Sequence, residues 1–420
     1  MISKALYSTI LLALFLSVQL QADILLCSPQ VILGFEQAVE EILMHAFELK
    51  AVEAECSARD AEIWQAAARP NPELSVSLDN IGSNICDDEN SFTVEMTQLL
   101  ELGGKRSARI RVANAQKQST CLDVEIMKCA LFAEVLHAFI DVASAQERLE
   151  LAKSQEALSH QAFQCLSIQK NTGKSSAIEA KKAEVICRSA KLKLAKQKAA
   201  LQQSIKQLIV LWDCQPPKFD KVSFPLFELS SPPPFENLFQ LLCKNPVLAK
   251  AEAEFIKSQE IFHLERSLRI PDLAVQVGVS TDRIYRDPGL NIGIDISLPL
   301  FDRNEGNINR ASYESLQAYY NQKNAMCHLK TELAGLYEDW MAAYDEAITL
   351  RDGIVPAANE SFNLAQESYD DGKFDYLHLL DAKSTLFEVQ EQYLDAVEEY
   401  HHKRAEILKI TAQCCPYANS

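Results

Sequence analysis

Four short stretches of this chain alternate apolar and polar residues with a period of two, the signature of strands with two unlike faces. Leu74, Val76 and Leu78 oppose Glu73, Ser75, Ser77 and Asp79, while Phe92, Val94 and Met96 oppose Thr93, Glu95 and Thr97. In the second half Leu273, Val275, Val277 and Val279 oppose Asp272, Gln276, Gly278 and Ser280. Leu290, Ile292, Ile294, Ile296 and Leu298 oppose Asn291, Gly293, Asp295 and Ser297. Each pattern predicts a strand of about 9–11 residues, the length that crosses a bilayer at barrel tilt. An apolar face backed by a polar one suits a wall between lipid and a wet lumen. A soluble sheet laid on a core would alternate in the same way, but the helices predicted beside these strands are too long to stay over that face. Four strands cannot close a barrel, since the smallest have about 8. Open edges are not tolerated in lipid, so closure calls for several chains.

The remaining pattern is helical. It predicts a helix over residues 36–68, a long one over 105–170 that stops at Asn171-Thr172-Gly173, and another over 177–212. The second half repeats this as 235–267, 306–369 with a break at Gly372, and 376–412. A helix of about 65 residues is about 100 Å long, which suits coiled coils and helical tubes. Leu379, Ala382, Leu386, Val389, Tyr393, Ala396, Tyr400, Ile407 and Ile410 fall on alternating three- and four-residue steps, with Lys403 as the one polar member. Cys187, Ala190, Leu194, Leu201 and Leu208 keep a matching seam, interrupted by Gln197 and Ser204. The seams show helix hairpins; a plain two-helix hairpin accounts for them as well as a tube does.

The chain reads as an internal duplication. Phe35-Glu36-Gln37-Ala38 resembles Phe235-Glu236-Asn237-Leu238. Pro72-Glu73-Leu74-Ser75-Val76 resembles Pro271-Asp272-Leu273-Ala274-Val275, and Asn171-Thr172-Gly173-Lys174 resembles Asp370-Asp371-Gly372-Lys373. The expected layout is a leader over 1–22, a first repeat over 23–214, a proline-rich linker over 215–234, a second repeat over 235–413 and a tail over 414–420.

Residues 1–22 hold one charge, Lys4, an apolar run from Ala5 to Val18 and a terminal Ala22, as in a secretory leader too short to span a membrane. Leu26 before Cys27 is the wrong, bulky residue for a lipoprotein signal. With 58 Asp plus Glu against 41 Lys plus Arg the net charge is −17, and loss of the leader makes it −18. That argues against nucleic acid as a partner and suits a surface or duct that tolerates cations, although solvated helix faces account for it equally. The 12 cysteines all follow Ala22, with no C-x-x-C and no Cys/His cluster of zinc spacing. Cys129, Cys165, Cys187 and Cys243 sit at apolar helical positions and are expected to act as small hydrophobes. Adjacent Cys414 and Cys415 pair with each other only under strain, which leaves intermolecular bonding open. No nucleophile motif and no Gly-rich phosphate loop is present, and neighbouring His401 and His402 face different sides of a helix. No catalytic residue, cofactor or metal site is therefore assigned.

Several segments are more specific than periodicity. Arg69-Pro70-Asn71-Pro72-Glu73-Leu74, Leu100-Glu101-Leu102-Gly103-Gly104-Lys105-Arg106, Leu298-Pro299-Leu300-Phe301-Asp302-Arg303-Asn304, and Tyr369-Asp370-Asp371-Gly372 with Leu379-Leu380-Asp381-Ala382 resemble those of TolC-like outer-membrane efflux factors. The chain is most similar to the cobalt–zinc–cadmium efflux branch, over about Phe35 to Ala412. The resemblance implies a mostly α protein with membrane β: a homotrimer with a twelve-stranded barrel on a twelve-helix periplasmic tube. It implies an outer-membrane location, a periplasmic membrane-fusion adaptor and an inner-membrane pump of the resistance–nodulation–division type. It also implies a periplasmic gate. The family's gate tyrosine aligns with Tyr369, its partner acid with Glu179 and its acid ring with Asp381. His378 stands where the family has a second acid and Phe374 where it has an arginine, two departures from the pattern. Adaptor tips are expected at the hairpin breaks Gly173 and Gly372. An efflux duct, a duct for type I protein secretion and a pore-less coiled-coil scaffold are the three function classes; the alternating strands favour a duct.

Overall fold

A computed structural model of the chain describes residues 32–79, 91–171, 176–212, 219–282, 287–371 and 376–413. The elements in chain order are β1 (Ile32–Gly34), α1 (Phe35–His45), α2 (Phe47–Ala67), β2 (Glu73–Asp79), β3 (Ser91–Leu100), α3 (Lys105–Asn171), α4 (Ala177–Val210) and β4 (Lys221–Ser223). They continue with α5 (Phe235–Leu242), α6 (Pro246–Leu268), β5 (Leu273–Asp282), β6 (Pro288–Ile296) and α7 (Glu305–Thr349). A π-helical turn over Leu350–Ile354, α8 (Val355–Asp370) and α9 (Tyr376–Ile410) complete the chain. No described helix is long and apolar enough to cross a membrane. Contacts divide the chain into two compact units. The first comprises Met1–His45, Glu134–Ser231 and Ala342–His402; the second comprises Ala46–Ala133, Pro232–Met341 and Lys403–Ser420.

The second unit holds one antiparallel sheet in the order β2-β3-β5-β6. Its register sets Leu74, Met96, Val277 and Ile292 in one row across the strands, and Val76, Val94, Val279 and Leu290 in the next. Intervening rows are polar, as in Ser75, Glu95, Gly278 and Asn291. The apolar face is bare: Leu74 is 71% exposed and Ile292 70%.

The motif residues build the joint between this sheet and its helices. Buried Lys105 meets Asp272 at 2.7 Å, and the Leu102 N–H donates to the same carboxylate at 3.1 Å. Arg109 grips both oxygens of Glu101, and Arg106 Nε donates to the Ala67 carbonyl at 2.6 Å. Asn304 Nδ2 reaches the Glu265 carbonyl at 2.9 Å. Gly103 turns the chain from β3 into α3 with φ +70, and a Cβ there would stand 2.8 Å from Ile270. Only glycine meets both demands without strain. A disulfide, Cys56–Cys121, ties α2 to α3 with Cα atoms 5.1 Å apart.

The first unit fastens the proline-rich segment that the sequence presents as a linker. β4 pairs in parallel with β1, and Gln146 both accepts from the Val222 N–H at 3.1 Å and donates to its carbonyl at 3.3 Å. Tyr400 Oη donates to the Ser230 carbonyl at 2.7 Å, and buried His401 Nε2 lies 2.7 Å from the Leu226 carbonyl. Leu226 packs with Ala347, Leu350, Leu394, Ala396 and Val397. The pair β1–β4 was not foreseen, because three-residue strands give no periodicity.

Three predicted helices are interrupted. The helix predicted over 235–267 is two, because Pro246 bars helical geometry at Asn245, which instead caps α6 by accepting from the Val247 N–H at 2.7 Å. The helix predicted over 306–369 contains the π turn, which accommodates Pro356. The helix predicted over 36–68 breaks at Ala46 (φ −54, ψ 120), where the sequence carries no breaker. Cys129 and Cys187 are buried as expected, but Cys165 and Cys243 are exposed. Ala162 and Leu166 take the buried stripe beside Cys165, and Cys243 follows the short helix α5.

The seam on α9 is buried at Leu379, Leu386, Val389, Ala396, Tyr400, Ile407 and Ile410. Lys403, its polar member, is paired with Asp339 at 3.1 Å.

Candidate functional site

The residues that the resemblance assigns to a gate all lie in the first unit. Tyr369, at the end of α8, accepts a hydrogen bond from Gln169 Nε2 at 3.4 Å and stands edge-on to Tyr376, ring centroids 5.2 Å apart. Burial pushes the Tyr376 hydroxyl up to about 12. Glu179 closes a capping box at the start of α4: the Ser176 N–H donates to Glu179 Oε2 at 3.2 Å, and the Ser176 hydroxyl accepts from the Ile178 N–H at 3.2 Å. This turn folds so because Ser176 and Glu179 have the required spacing, and the acid also suits the positive end of the helix.

His378 and Asp381, one turn apart on α9, are exposed and share a groove of about 1020 Å³ with Ile178, Lys181, Lys182 and Val185 of α4. Lys181 is drawn to Glu184 at 2.7 Å. The groove is therefore mixed in charge rather than purely acidic. Gly173, Gly372 and Phe374 lie outside the described residues, as do Cys27, Cys414 and Cys415.

A second cluster in the same unit was not foreseen. His137 and Asp141 sit four residues apart on α3, and Glu398 and His402 four apart on α9, so each pair shares one helix face. His402 Nε2 lies 3.0 Å from Asp141 Oδ1 and 3.9 Å from Glu398 Oε1. Its Nδ1 lies 2.5 Å from His137 Nδ1, with the two rings stacked. Glu398 Oε2 accepts from the Ser144 hydroxyl at 2.7 Å and from Arg148, whose other nitrogen meets Asp395 at 2.5 Å. Burial alone would lower the His402 imidazole, but its bonds to Asp141 and Glu398 win and hold it at about 9. Burial likewise works to raise Glu398, and donors from His402, Ser144 and Arg148 hold it at about 2. The expectation of no metal site rested on the lack of a Cys/His cluster of zinc spacing and on His401 and His402 being neighbours. The usable signal was two i,i+4 pairs, His137 with Asp141 and Glu398 with His402, on helices whose histidines are 265 residues apart.

Long helices buried along a seam, with an antiparallel sheet whose apolar face is bare, form the architecture of outer-membrane efflux channels. The fold matches a crystal structure of CusC with a TM-score of 0.76 at 18% identity, over 91% of this chain and 92% of that one. The chain belongs to the family described as outer membrane efflux protein, whose profile matches residues 38–212 and again 237–413. It is 31% identical over 364 residues to the cobalt-zinc-cadmium resistance protein CzcC of Cupriavidus metallidurans, covering 87% of this chain and 86% of that protein. It is 26% identical over 279 residues to the nickel and cobalt resistance protein CnrC of the same organism, 66% of each chain. The protein is thus an outer-membrane efflux component with a TolC-like fold, in a family of channels and transport components.

Proposed function

We propose that three copies of this chain close a twelve-stranded barrel in the outer membrane. Their helices form a periplasmic duct through which divalent metal cations leave the cell. The observation that carries this reading is the sheet: four antiparallel strands, a bare apolar face and β2 and β6 at its two edges. Such a sheet is stable in lipid only when its edges are paired by other copies. Metal cations are favoured as cargo because CzcC and CnrC are metal-resistance proteins by name, at 31% and 26% identity, against 22% for a toluene efflux protein. An inner-membrane resistance–nodulation–division pump and a periplasmic membrane-fusion adaptor complete the path, with the adaptor docking at Gly173 and Gly372. Tyr369 and Glu179 hold the duct closed at rest, and Asp381 with His378 sets its ion preference.

Cysteine cross-linking tests the trimer directly. One cysteine placed at Ser77 on β2 and one at Gly293 on β6 are expected to give a three-chain species in outer-membrane fractions. A chain released in soluble form by osmotic shock defeats the reading.

A further inference from the structure

We propose that Asp141, Glu398 and His402 bind a divalent cation of the zinc or cobalt type, which bridges α3 and α9. The ligand atoms all lie within 4.8 Å of one another. Donors each about 2.1 Å from a metal stand about 3.4 Å apart in a tetrahedron. His402 Nε2 and Asp141 Oδ1, at 3.0 Å, are already near that spacing, and Glu398 Oε1 at 3.9 Å needs only a small side-chain rotation. One imidazole nitrogen with two carboxylates suits a first-row cation better than calcium or magnesium, which take oxygen alone.

Two of the three ligands, His402 and Glu398, are held from behind. His137 faces the far nitrogen of His402, fixing the ring with Nε2 toward the carboxylates. Ser144 and Arg148 occupy Glu398 Oε2 and leave Oε1 toward His402. Outer partners of this kind orient the ligands of known metal sites and set their affinity. Asp141 is 39% exposed and the other two are 24% exposed, so a cation has a path in from solvent. The site lies apart from the groove of His378 and Asp381 and does not depend on the gate reading.

The test uses the full-length chain purified in detergent through a streptavidin-binding tag and stripped with chelator. Cobalt(II) titration is expected to give saturable visible absorption with one ion per chain, displaced by zinc. His402→Gln and Asp141→Asn should each abolish it, and His137→Ala should weaken it by about tenfold, as loss of an outer partner does. His328→Gln, at an exposed histidine of α7, should leave it intact. Circular dichroism verifies helix content, and if His402→Gln fails to fold, Asp141→Asn carries the test. Absorption that does not saturate, or that persists in both variants, overturns the site. Loss of cation transport with binding intact would instead count against the duct reading alone.

Discussion

The two units are held by different means. The second is fastened by a hydrogen-bonded sheet, a glycine turn and a disulfide as well as ion pairs such as Lys105 with Asp272, with the apolar face of its sheet left uncovered. Among the described residues the first has one small strand pair, β1–β4, and relies on side chains: Leu226 packed in a core, Tyr400 and His401 holding the proline-rich segment, and a charged network around Glu398. The difference teaches where each unit finds its missing stability. The sheet needs an apolar solvent or another copy of itself, whereas the helical unit pairs Arg148 with Glu398 and Asp395 among its own residues.

The largest expected effect is on the covalent side. Cys56 and Cys121 are 65 residues apart, so opening their bond should cost about 4 kcal/mol on the chain-entropy account. Hydrogen exchange after reduction should show lost protection in α2 and none lost in residues 376–402 of α9. Equal loss in both would erase the contrast between the units.

Next, Val277→Arg or Ile294→Arg should impair assembly by about 2–4 kcal/mol per chain, as an Arg facing mid-bilayer does. Gln276→Arg and Asp295→Arg, on the polar face, should leave heat-stable oligomers on gels. Equal tolerance of all four would mean that the apolar face does not meet lipid.

A smaller effect belongs to the first unit. Arg148→Met strands Glu398 and Asp395 beside each other; with Arg148 about a quarter exposed, the cost is about 2 kcal/mol, less than for a fully buried pair. Thermal melting in detergent should register it, and Arg351→Met, which releases only the exposed pair with Asp352, should not.

The smallest effect concerns the gate. Tyr369→Phe with Glu179→Gln should remove about 1 kcal/mol of polar contact and raise single-channel conductance in planar bilayers without dissociating the oligomer. Asp381→Asn should weaken cation preference. Conductance unchanged in the double variant removes Tyr369 and Glu179 from the gate and leaves the channel standing.

Most of the fold was legible because its signals are long. The alternation from Leu273 to Ser280, or the seam from Leu379 to Ile410, averages out local exceptions. What was missed is short or non-local. The β1–β4 pair spans three residues per strand, and Ala46 breaks a helix with no residue that forbids helix. Pro246 and Pro356 were readable as breakers, yet the first makes a cap and the second a π turn inside continuous helix, which depends on neighbours. The Cys56–Cys121 pair follows from α2 lying against α3, which spacing alone does not give. The same holds for the candidate site: His137 and His402 meet only because α3 and α9 pack side by side.

Cys56–Cys121 also fixes an order of events in the life of the chain. The bond cannot persist in the reducing cytosol, so it closes only after export. The loop it closes contains both strands of the first hairpin, β2 and β3, but none of the second. Maturation is therefore lopsided: one hairpin is gathered at its base by oxidation, while the other, β5 and β6, has no such tie among the described cysteines. A cell short of periplasmic oxidant would thus accumulate chains unfinished on one side only.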